Sequence, residues 1–275
     1  MPTKNNSIIE LANPDYVPVI KDSGISYGGS QMWFPKTYWY SKDYILHNYG
    51  CGTIATADMF LYLALHNVDL HSPHTELALL GTNHIKYENY TPYVRAIHDD
   101  YTKTRRFIAV LGPKVASAIN SYSDTNRMGL EASWKWKLTY YDMYDMIENM
   151  LNNDIPVILS IGPNTPNLWG KKGIPFYERK EIEYQEKSDT QQEAKEKRKP
   201  YYYKVIYNDI NSHYVTVTGL IKDDVAGRIM LRISSWGKQY YINYEEYRDY
   251  VENYSGTITS SIVHVKKDKL YYNHK

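Results

Sequence analysis

The chain contains 275 residues, of which 43% are hydrophobic, and its 32 Lys and Arg nearly balance its 31 Asp and Glu. A chain of this length can bury a sizeable core, and the balanced charge provides no global basic field for nucleic acid or an acidic membrane. The single cysteine, Cys51, excludes an intrachain disulfide and any zinc site with two or more cysteine ligands.

Neither a targeting segment nor a membrane span is evident in the sequence. The first seven residues, MPTKNNS, lack the apolar core of a secretory signal. No stretch approaches the roughly 18 uninterrupted apolar residues that a membrane helix needs. We therefore expect no membrane span and, by default, a cytoplasmic protein, although secretion through a trimmed or non-standard signal stays open, as does the oligomeric state.

The first half of the chain is predicted to be mainly helical after an extended beginning. Residues 1–50 are rich in Gly, Pro and aromatic residues without a regular period, which predicts extended segments and turns. Residues 52–66 have the apolar spacing of a helix that is buried on most sides. Further helices are predicted after Pro92, from Pro113, and from Thr139, where the T-x-x-D pattern forms a capping box.

The second half is predicted to be mainly β-structure. The apolar run IPVILSI (155–161) indicates a short buried strand, and residues 213–221 and 228–236 have the two-residue period of strands. The segment 170–203 is densely charged and poor in aliphatic residues. We interpret most of it as a solvated insertion, with a functional flap as the alternative.

The order of these elements predicts an α+β fold. A helix capped by Asn243 and a strand over 257–265 complete the pattern, and strands and helices do not alternate as a doubly wound parallel sheet requires. We expect a single domain over residues 1–275. Its predicted parts are an extended segment (1–50), a helical half (51–154) and a sheet half (155–275) that contains the charged insertion.

Cys51 lies between two glycines at the start of the first predicted helix, in the segment NYGCGTIATA. The unpaired amides and the dipole at a helix N-terminus stabilise a thiolate, and they bring a cysteine pKa from near 8.5 to roughly 3.5–7.5. Gly50 and Gly52 allow a tight turn that leaves amides open to an oxyanion. Cys51 is therefore a candidate nucleophile, whereas an isolated cysteine is more often a buried structural thiol.

A candidate general base follows in the second half of the chain. His213 begins the predicted strand HYVTVTGL, where an imidazole that faces a cleft can accept the thiol proton and return it to a leaving amine. The next strand ends in ISSWGKQYY. We expect this neighbouring strand to bring Ser234, Ser235 and Trp236 towards His213, with a third group orienting the imidazole.

The ordered combination of GCG at a helix start, a PVI strand, HYVTVTG and SSWG resembles the papain-like cysteine peptidases, and most closely their C39-like bacterial branch. The resemblance covers about residues 45–255, with 170–203 as an apparent insertion. It implies a papain-like fold in which the site lies between a helical half and a twisted sheet. It also implies that Cys51 is the nucleophile and His213 the general base.

The group that orients the histidine departs from the pattern of this family. The family usually has Asp or Asn ahead of a (P/S)WG segment, and this chain has Ser234 there, followed by Ser235-Trp236-Gly237. A serine hydroxyl accepts the imidazole N–H bond but carries no charge, so it stabilises an imidazolium less. Asn243, Asp209 and Asp224 are alternatives that the sequence does not separate.

The group that binds the oxyanion is also displaced. The family usually has a glutamine about six residues before the cysteine, where this chain has Ile45. We favour Gln31 for this role because it lies in a stretch flanked by Gly and Trp that suits a cleft wall. Asn48 and His47 are nearer in sequence and are equally able to donate.

Two other polar features have simpler interpretations. His66, His71 and His74 follow the first predicted helix without the spacing of a common metal site, which favours a polar surface loop. Asp58 interrupts an otherwise apolar helix, and a buried carboxylate needs hydrogen-bond partners, so we expect it to bond a backbone group or a histidine.

Together these motifs predict a thiol peptidase or amide hydrolase with a peptide or protein substrate and no cofactor, metal or nucleic-acid partner. Two alternatives stay open. One is a papain-like binding module with an unreactive Cys51, which the displaced Asn or Asp and Gln favour. The other is an acyltransferase, similar to transglutaminases, in which an amine replaces water.

Overall fold

The computed structural model describes residues 7–22, 24–80, 84–168, 170–182, 201–223 and 227–267. In this part of the chain most helices lie in the first half, and a nine-stranded antiparallel sheet takes most of its strands from the second half. The predicted α+β class is therefore confirmed. None of the described helices combines the length and the hydropathy that a membrane span requires.

The helices begin and end close to the local signals in the sequence. They are α1 (Lys42–Tyr49), α2 (Cys51–His66), α3 (Pro73–Leu79), α4 (Tyr87–Ile97), α5 (Gly112–Asn126), α6 (Tyr140–Asn152) and α7 (Tyr244–Tyr250). The capping box predicted for α6 is present, since Thr139 Oγ1 accepts from the Asp142 amide at 3.2 Å. Asn243 caps α7 by accepting from the amides of the first turn.

Two helix predictions were wrong in their extent. The segment 1–50 is not wholly extended, because Ser41 caps α1 by accepting from the Tyr44 amide. Helix α4 begins before Pro92, at Tyr87. Its buried side chains recur at helical spacing and include residues on both sides of the proline, so core packing extends the helix through it: Tyr90, Tyr93, Val94 and Ile97.

The strands form one large and one small sheet. The large sheet contains β1 (Ser7–Glu10), β5 (Leu130–Trp134), β6 (Val157–Ile161), β7 (Ile174–Glu181), β8 (Tyr201–Ile210), β9 (His213–Asp223), β10 (Arg228–Ser235), β11 (Lys238–Asn243) and β12 (Ile262–Lys267). Their order is β5-β12-β6-β9-β10-β11-β7-β8, and β1 pairs with the later part of β9. The small sheet contains β2 (Pro18–Lys21), β3 (Gly24–Tyr27) and β4 (Ile85–Lys86).

The charged insertion is not solvated along its whole length. Its two ends form the antiparallel pair β7 and β8, which extends the large sheet, while residues 183–200 lie outside the described part of the chain. Strand β7 begins with alternating buried positions, and the Phe176 ring lies 5.8 Å from that of Tyr240. Apolar residues at the start of the segment thus anchor it to the sheet despite its overall charge.

Helix α2 is the central helix and its first turn lies against the start of β9. Every residue from Cys51 to Ala64 is buried. A Cβ atom at Gly52 would lie 2.3 Å from Val110 Cγ1 and 3.2 Å from Tyr214 Cδ2, so only glycine permits this approach. The close packing brings the N-terminus of α2 to the N-terminal end of β9, where His213 lies.

Candidate active site

Cys51 is the first residue of α2 and is 8% exposed. Gly50 connects α1 to α2 within van der Waals contact of the preceding turn, since a Cβ there would lie 2.2 Å from the Leu46 carbonyl oxygen. Burial raises the pKa of the Cys51 thiol, and the amides of Tyr214, Gly52 and Cys51 itself oppose this rise. The sequence-based expectation of a lowered thiol pKa was therefore wrong, because desolvation outweighs the helix N-terminus.

His213 is the first residue of β9 and is also 8% exposed. Its Nε2 atom shares a hydrogen bond of 2.8 Å with Ser235 Oγ, and its ring stacks on Trp236 with centroids 4.6 Å apart. Burial lowers the pKa of His213 to about 4, so the imidazole is neutral at neutral pH. These contacts fix the ring plane, and Nδ1 forms no hydrogen bond within the described residues.

Ser234 was expected to orient the imidazole, and that expectation was wrong. Ser234 lies opposite Thr216 in the β9–β10 pair, and side chains alternate between the two faces of a sheet. Ser235 therefore shares the face of His213, whereas the Ser234 hydroxyl donates to the Tyr27 carbonyl at 2.7 Å. Ser235 therefore orients His213, whereas Ser234 holds the part of the chain that leads to Gln31.

Neither of the other described candidates for orienting His213 forms a hydrogen bond with it. Asn243 uses its side chain to cap α7. Asp209 lies near the end of β8 in the left-handed backbone region, with φ of 57°. Asp224 lies outside the described residues.

Gln31 and Asn48, the two oxyanion candidates, differ in where their amides lie. Gln31 begins a 3₁₀ turn (Gln31–Trp33), and its Nε2 donates to the His47 carbonyl at 2.9 Å, while its buried Oε1 has no hydrogen-bond partner among the described residues. Asn48 is exposed, and its Nδ2 donates to the Tyr44 carbonyl of its own helix at 2.8 Å. His47 is buried and bonds the Phe34 carbonyl through Nδ1 at 2.6 Å.

Two cavities connect these residues. A cleft of about 760 Å³ is lined by Cys51 and His213 together with Gln31 and Asn48. A much smaller cavity of about 20 Å³ is also lined by Cys51, His213 and Gln31 but not by Asn48. Cys51, His213 and Gln31 thus border the same two spaces, whereas Asn48 reaches only the larger cleft.

The resting thiol and imidazole form a neutral pair. No hydrogen bond joins Cys51 Sγ to the His213 ring among the described residues, and the groups that shift the pKa of His213 include no carboxylate. A raised thiol pKa and a lowered imidazole pKa both disfavour the thiolate–imidazolium form. The arrangement suits proton transfer during attack on a substrate rather than a preformed ion pair.

Asp58 lies beneath the site and was only partly anticipated. Its carboxylate accepts from the Gly29 amide at 2.8 Å and from the Tyr90 hydroxyl at 2.6 Å, and it lines the small cavity. The backbone alternative for its partner is confirmed. Burial raises the pKa of Asp58 to about 7, against the opposing effect of these two bonds. In the sequence, the one carboxylate within an otherwise apolar helix indicated that Asp58 is buried and hydrogen-bonded.

The contacts around Asp58 also explain how Gln31, which is remote in sequence from Cys51 and His213, reaches the site. Gly28 has φ of +82°, and a Cβ atom there would lie 2.3 Å from Ser234 Oγ and 2.8 Å from Asp58 Oδ2. Only glycine fits between these groups, so the chain passes close to α2 and then turns into Gln31. Asp58 and Ser234 are therefore positioning residues for the oxyanion candidate.

The histidines that follow α2 lie in a separate cluster. His71 bonds Glu76 and the Ala64 carbonyl, and His74 Nε2 lies 2.7 Å from Asp100 Oδ2. Within the described ranges, no group of three or more His, Cys, Asp or Glu side chains is arranged to hold a metal ion.

Comparison with known proteins gave no match: no family model, no curated protein and no solved structure is similar to this chain. The papain-like fold and the peptidase assignment therefore stay predictions. What the site does has to be inferred from its own geometry and chemistry.

Proposed function

We propose that this protein is a papain-like thiol hydrolase that cleaves peptide or amide bonds, with Cys51 as nucleophile and His213 as general base. One observation carries the proposal. Cys51, at a helix N-terminus, and His213, held through Nε2 by Ser235, border the same cleft, and His213 Nδ1 has no hydrogen bond to any residue that the structure describes. Nucleophile, base and orienting group are the three parts that covalent acyl transfer needs.

Acylation begins when Cys51 Sγ attacks the substrate carbonyl carbon and His213 Nδ1 accepts the thiol proton. The oxyanion that forms would receive hydrogen bonds from the Cys51 amide and from the second N–H of Gln31 Nε2, whose first is bonded to the His47 carbonyl. His213 then donates its proton to the leaving amine as the C–N bond breaks, which leaves a thioester on Cys51.

Deacylation uses the same groups in reverse. Water attacks the thioester carbonyl while His213 accepts one of its protons, and the C–S bond breaks as that proton returns to the sulfur. The products are a carboxylic acid and the free thiol. Because the resting pair is neutral, the imidazole needs no charged partner before attack, and a serine suffices to hold it.

Peptide turnover followed by mass spectrometry tests this proposal. We expect the wild-type chain to generate new N-terminal fragments from a peptide mixture, and Cys51→Ser and His213→Gln to generate none above background. His264→Gln is the matched control, since His264 is a half-buried histidine on β12, away from the cleft. Cleavage that survives in Cys51→Ser would refute the proposal.

The alternative of a binding module has one observation in its favour. The buried pair is neutral, and no hydrogen bond connects sulfur and imidazole within the described residues. A non-catalytic relative would bind peptides in the cleft without covalent modification of Cys51. If peptides bind the wild-type chain but no acyl-enzyme or fragment is detected, the binding module is the correct assignment.

A further inference from the structure

The cleft beside Cys51 and His213 has apolar walls that are open to solvent. Large apolar side chains on its border are more than half exposed: Phe107, Ile108, Leu111, Trp136 and Ile258. Exposed apolar side chains that converge on one concave site mark a binding surface rather than chance exposure. An apolar group of a ligand would bury these side chains.

A short hairpin places two of these residues at the border. Arg105 and Ala109 form a β-bridge, and the residues between them turn outward. Phe107 and Ala109 have φ of 64° and 57°, in the left-handed region that non-glycine residues rarely adopt. Such backbone strain tends to persist where a side chain has to be held in place for function.

The charge next to the cleft walls is one-sided. The walls include residues 107–113, Trp134 and Trp136, which are uncharged, and the surrounding stretches 103–114 and 133–138 contain no Asp or Glu. The remaining lining segments contain no Asp, Glu, Lys or Arg within two residues of the cleft on the α2, β6 and β9 sides. These two stretches contain six cations next to the lining residues in sequence, although the whole chain is nearly neutral: Lys103, Arg105, Arg106, Lys114, Lys135 and Lys137.

These six cations lack ion-pair partners among the residues that the structure describes. Three acidic residues near them in sequence are paired with other groups: Asp99 with Lys42 at 2.6 Å, Asp100 with His74 at 2.7 Å, and Glu131 with Lys266 at 2.9 Å. The cations beside the cleft therefore stay available to attract a negatively charged ligand.

Two of the cations lie directly on the aromatic border. The Arg106 guanidinium lies 4.1 Å from the Phe107 ring centroid and 3.8 Å from that of Trp39. The Lys137 ammonium lies 4.8 Å from the Trp136 ring centroid. Positive charge and apolar surface are therefore side by side, within reach of one ligand that carries both an apolar group and carboxylates.

We propose that the substrate is an acidic peptide segment, with an apolar residue in the cleft and Asp or Glu residues on either side of it. This inference rests on the proposed function, which makes the substrate a peptide. A membrane is disfavoured because the cations border a concave cleft rather than a projecting face. Nucleic acid is disfavoured because the groups that the cleft leads to, a thiol and an imidazole, suit a carbonyl substrate.

Equilibrium binding to a Cys51→Ala chain tests this inference without turnover. The probes are fluorescein-labelled peptides with a common Phe-Leu-Ala centre and flanks of Glu, Ser or Lys, measured by anisotropy. We expect affinity in the order Glu, Ser, Lys, with a preference for Glu that weakens as salt rises. Equal affinities, or a preference for Lys flanks, would overturn the inference.

Matched charge variants locate the effect. Arg106→Gln with Lys137→Gln removes the two cations that lie on the border aromatics and should weaken binding of the Glu peptide by about tenfold, at roughly 0.5–1 kcal/mol for each charge lost. Lys86→Gln with Lys204→Gln removes the same charge from exposed positions away from the cleft and should leave affinity within about twofold. Equal losses of affinity in the two double variants would show that net charge alone sets the affinity, and would overturn the proposed binding site.

Two further comparisons complete the test. One sets other classes of ligand against the Glu peptide, and the other distinguishes failure of the acidic preference from failure of the proposed hydrolase. Tighter binding of a single-stranded oligonucleotide or of phosphatidylserine vesicles than of the Glu peptide would overturn the inference. Glu-peptide binding without hydrolysis by the wild-type chain would leave the ligand class standing and refute the hydrolase. Hydrolysis that is indifferent to flanking charge would leave the hydrolase standing and refute the acidic preference.

Discussion

Asp58→Asn isolates the ionisation of a carboxyl group buried beneath Cys51 and His213. In the folded chain the pKa of Asp58 is raised from 3.8 to about 7, so the folded state holds a proton that the unfolded chain has already released. The free energy of unfolding therefore falls as pH rises between these two values. With about 1.4 kcal/mol per pKa unit, the full loss is about 4 kcal/mol.

Urea unfolding at several pH values measures this loss. About 2.5 kcal/mol of it falls between about pH 5 and about pH 8, where the other carboxylates are already ionised. Asparagine keeps an acceptor for Gly29 and a polar group for Tyr90 but does not titrate. The stability of Asp58→Asn relative to wild type should therefore rise by about 2.5 kcal/mol over this range.

The change of this stability difference with pH shows whether the pKa of Asp58 is raised in the folded chain. A difference between Asp58→Asn and wild type that is constant with pH would mean that Asp58 has an ordinary pKa, and that it is charged in the folded chain. A difference that falls with pH would mean a pKa below 3.8 and net stabilisation of the carboxylate by Gly29 and Tyr90. Either result would refute the assignment of Asp58 as a protonated positioning residue below neutral pH.

Three further predictions concern the groups around the thiol. His213 has its pKa lowered from 6.5 to about 4, so wild-type stability relative to His213→Gln should rise by about 3 kcal/mol across that interval, as measured by urea unfolding. Ser235→Ala should lower kcat for peptide hydrolysis roughly tenfold, whereas Ser234→Ala should mainly cost about 1 kcal/mol of stability. Gln31→Ala should lower kcat about 100-fold, and Asn48→Ala should leave it unchanged. Equal effects within either pair would contradict the assigned roles.

The features that the sequence predicted well depend on local pattern. Helix α2 follows from its apolar spacing, and α6 from the Thr139 capping box, because both signals lie within a few residues of the element they specify. The start of β9 at His213 follows from a two-residue period. The pairing of β9 with β10 follows from the short connection between them.

The features that the sequence missed depend on tertiary contacts. Ser235 rather than Ser234 orients His213 because of a strand register that neighbouring residues do not reveal. The pKa of Cys51 is raised because helix α2 is buried, whereas its position at a helix N-terminus predicted the opposite. The approach of Gln31 to the site needs the Asp58 contact, which lies across the fold.

The rate at which a peptide vinyl sulfone modifies Cys51 tests most directly whether Cys51 is a nucleophile that His213 assists. The reagent forms a thioether by attack of the sulfur and protonation of the adjacent carbon, so both Cys51 and His213 are needed. We expect a single adduct that tryptic mapping places on Cys51, and a rate at least about 100-fold lower in His213→Gln. Equal rates in wild type and His213→Gln, or no adduct on Cys51, would contradict this assignment.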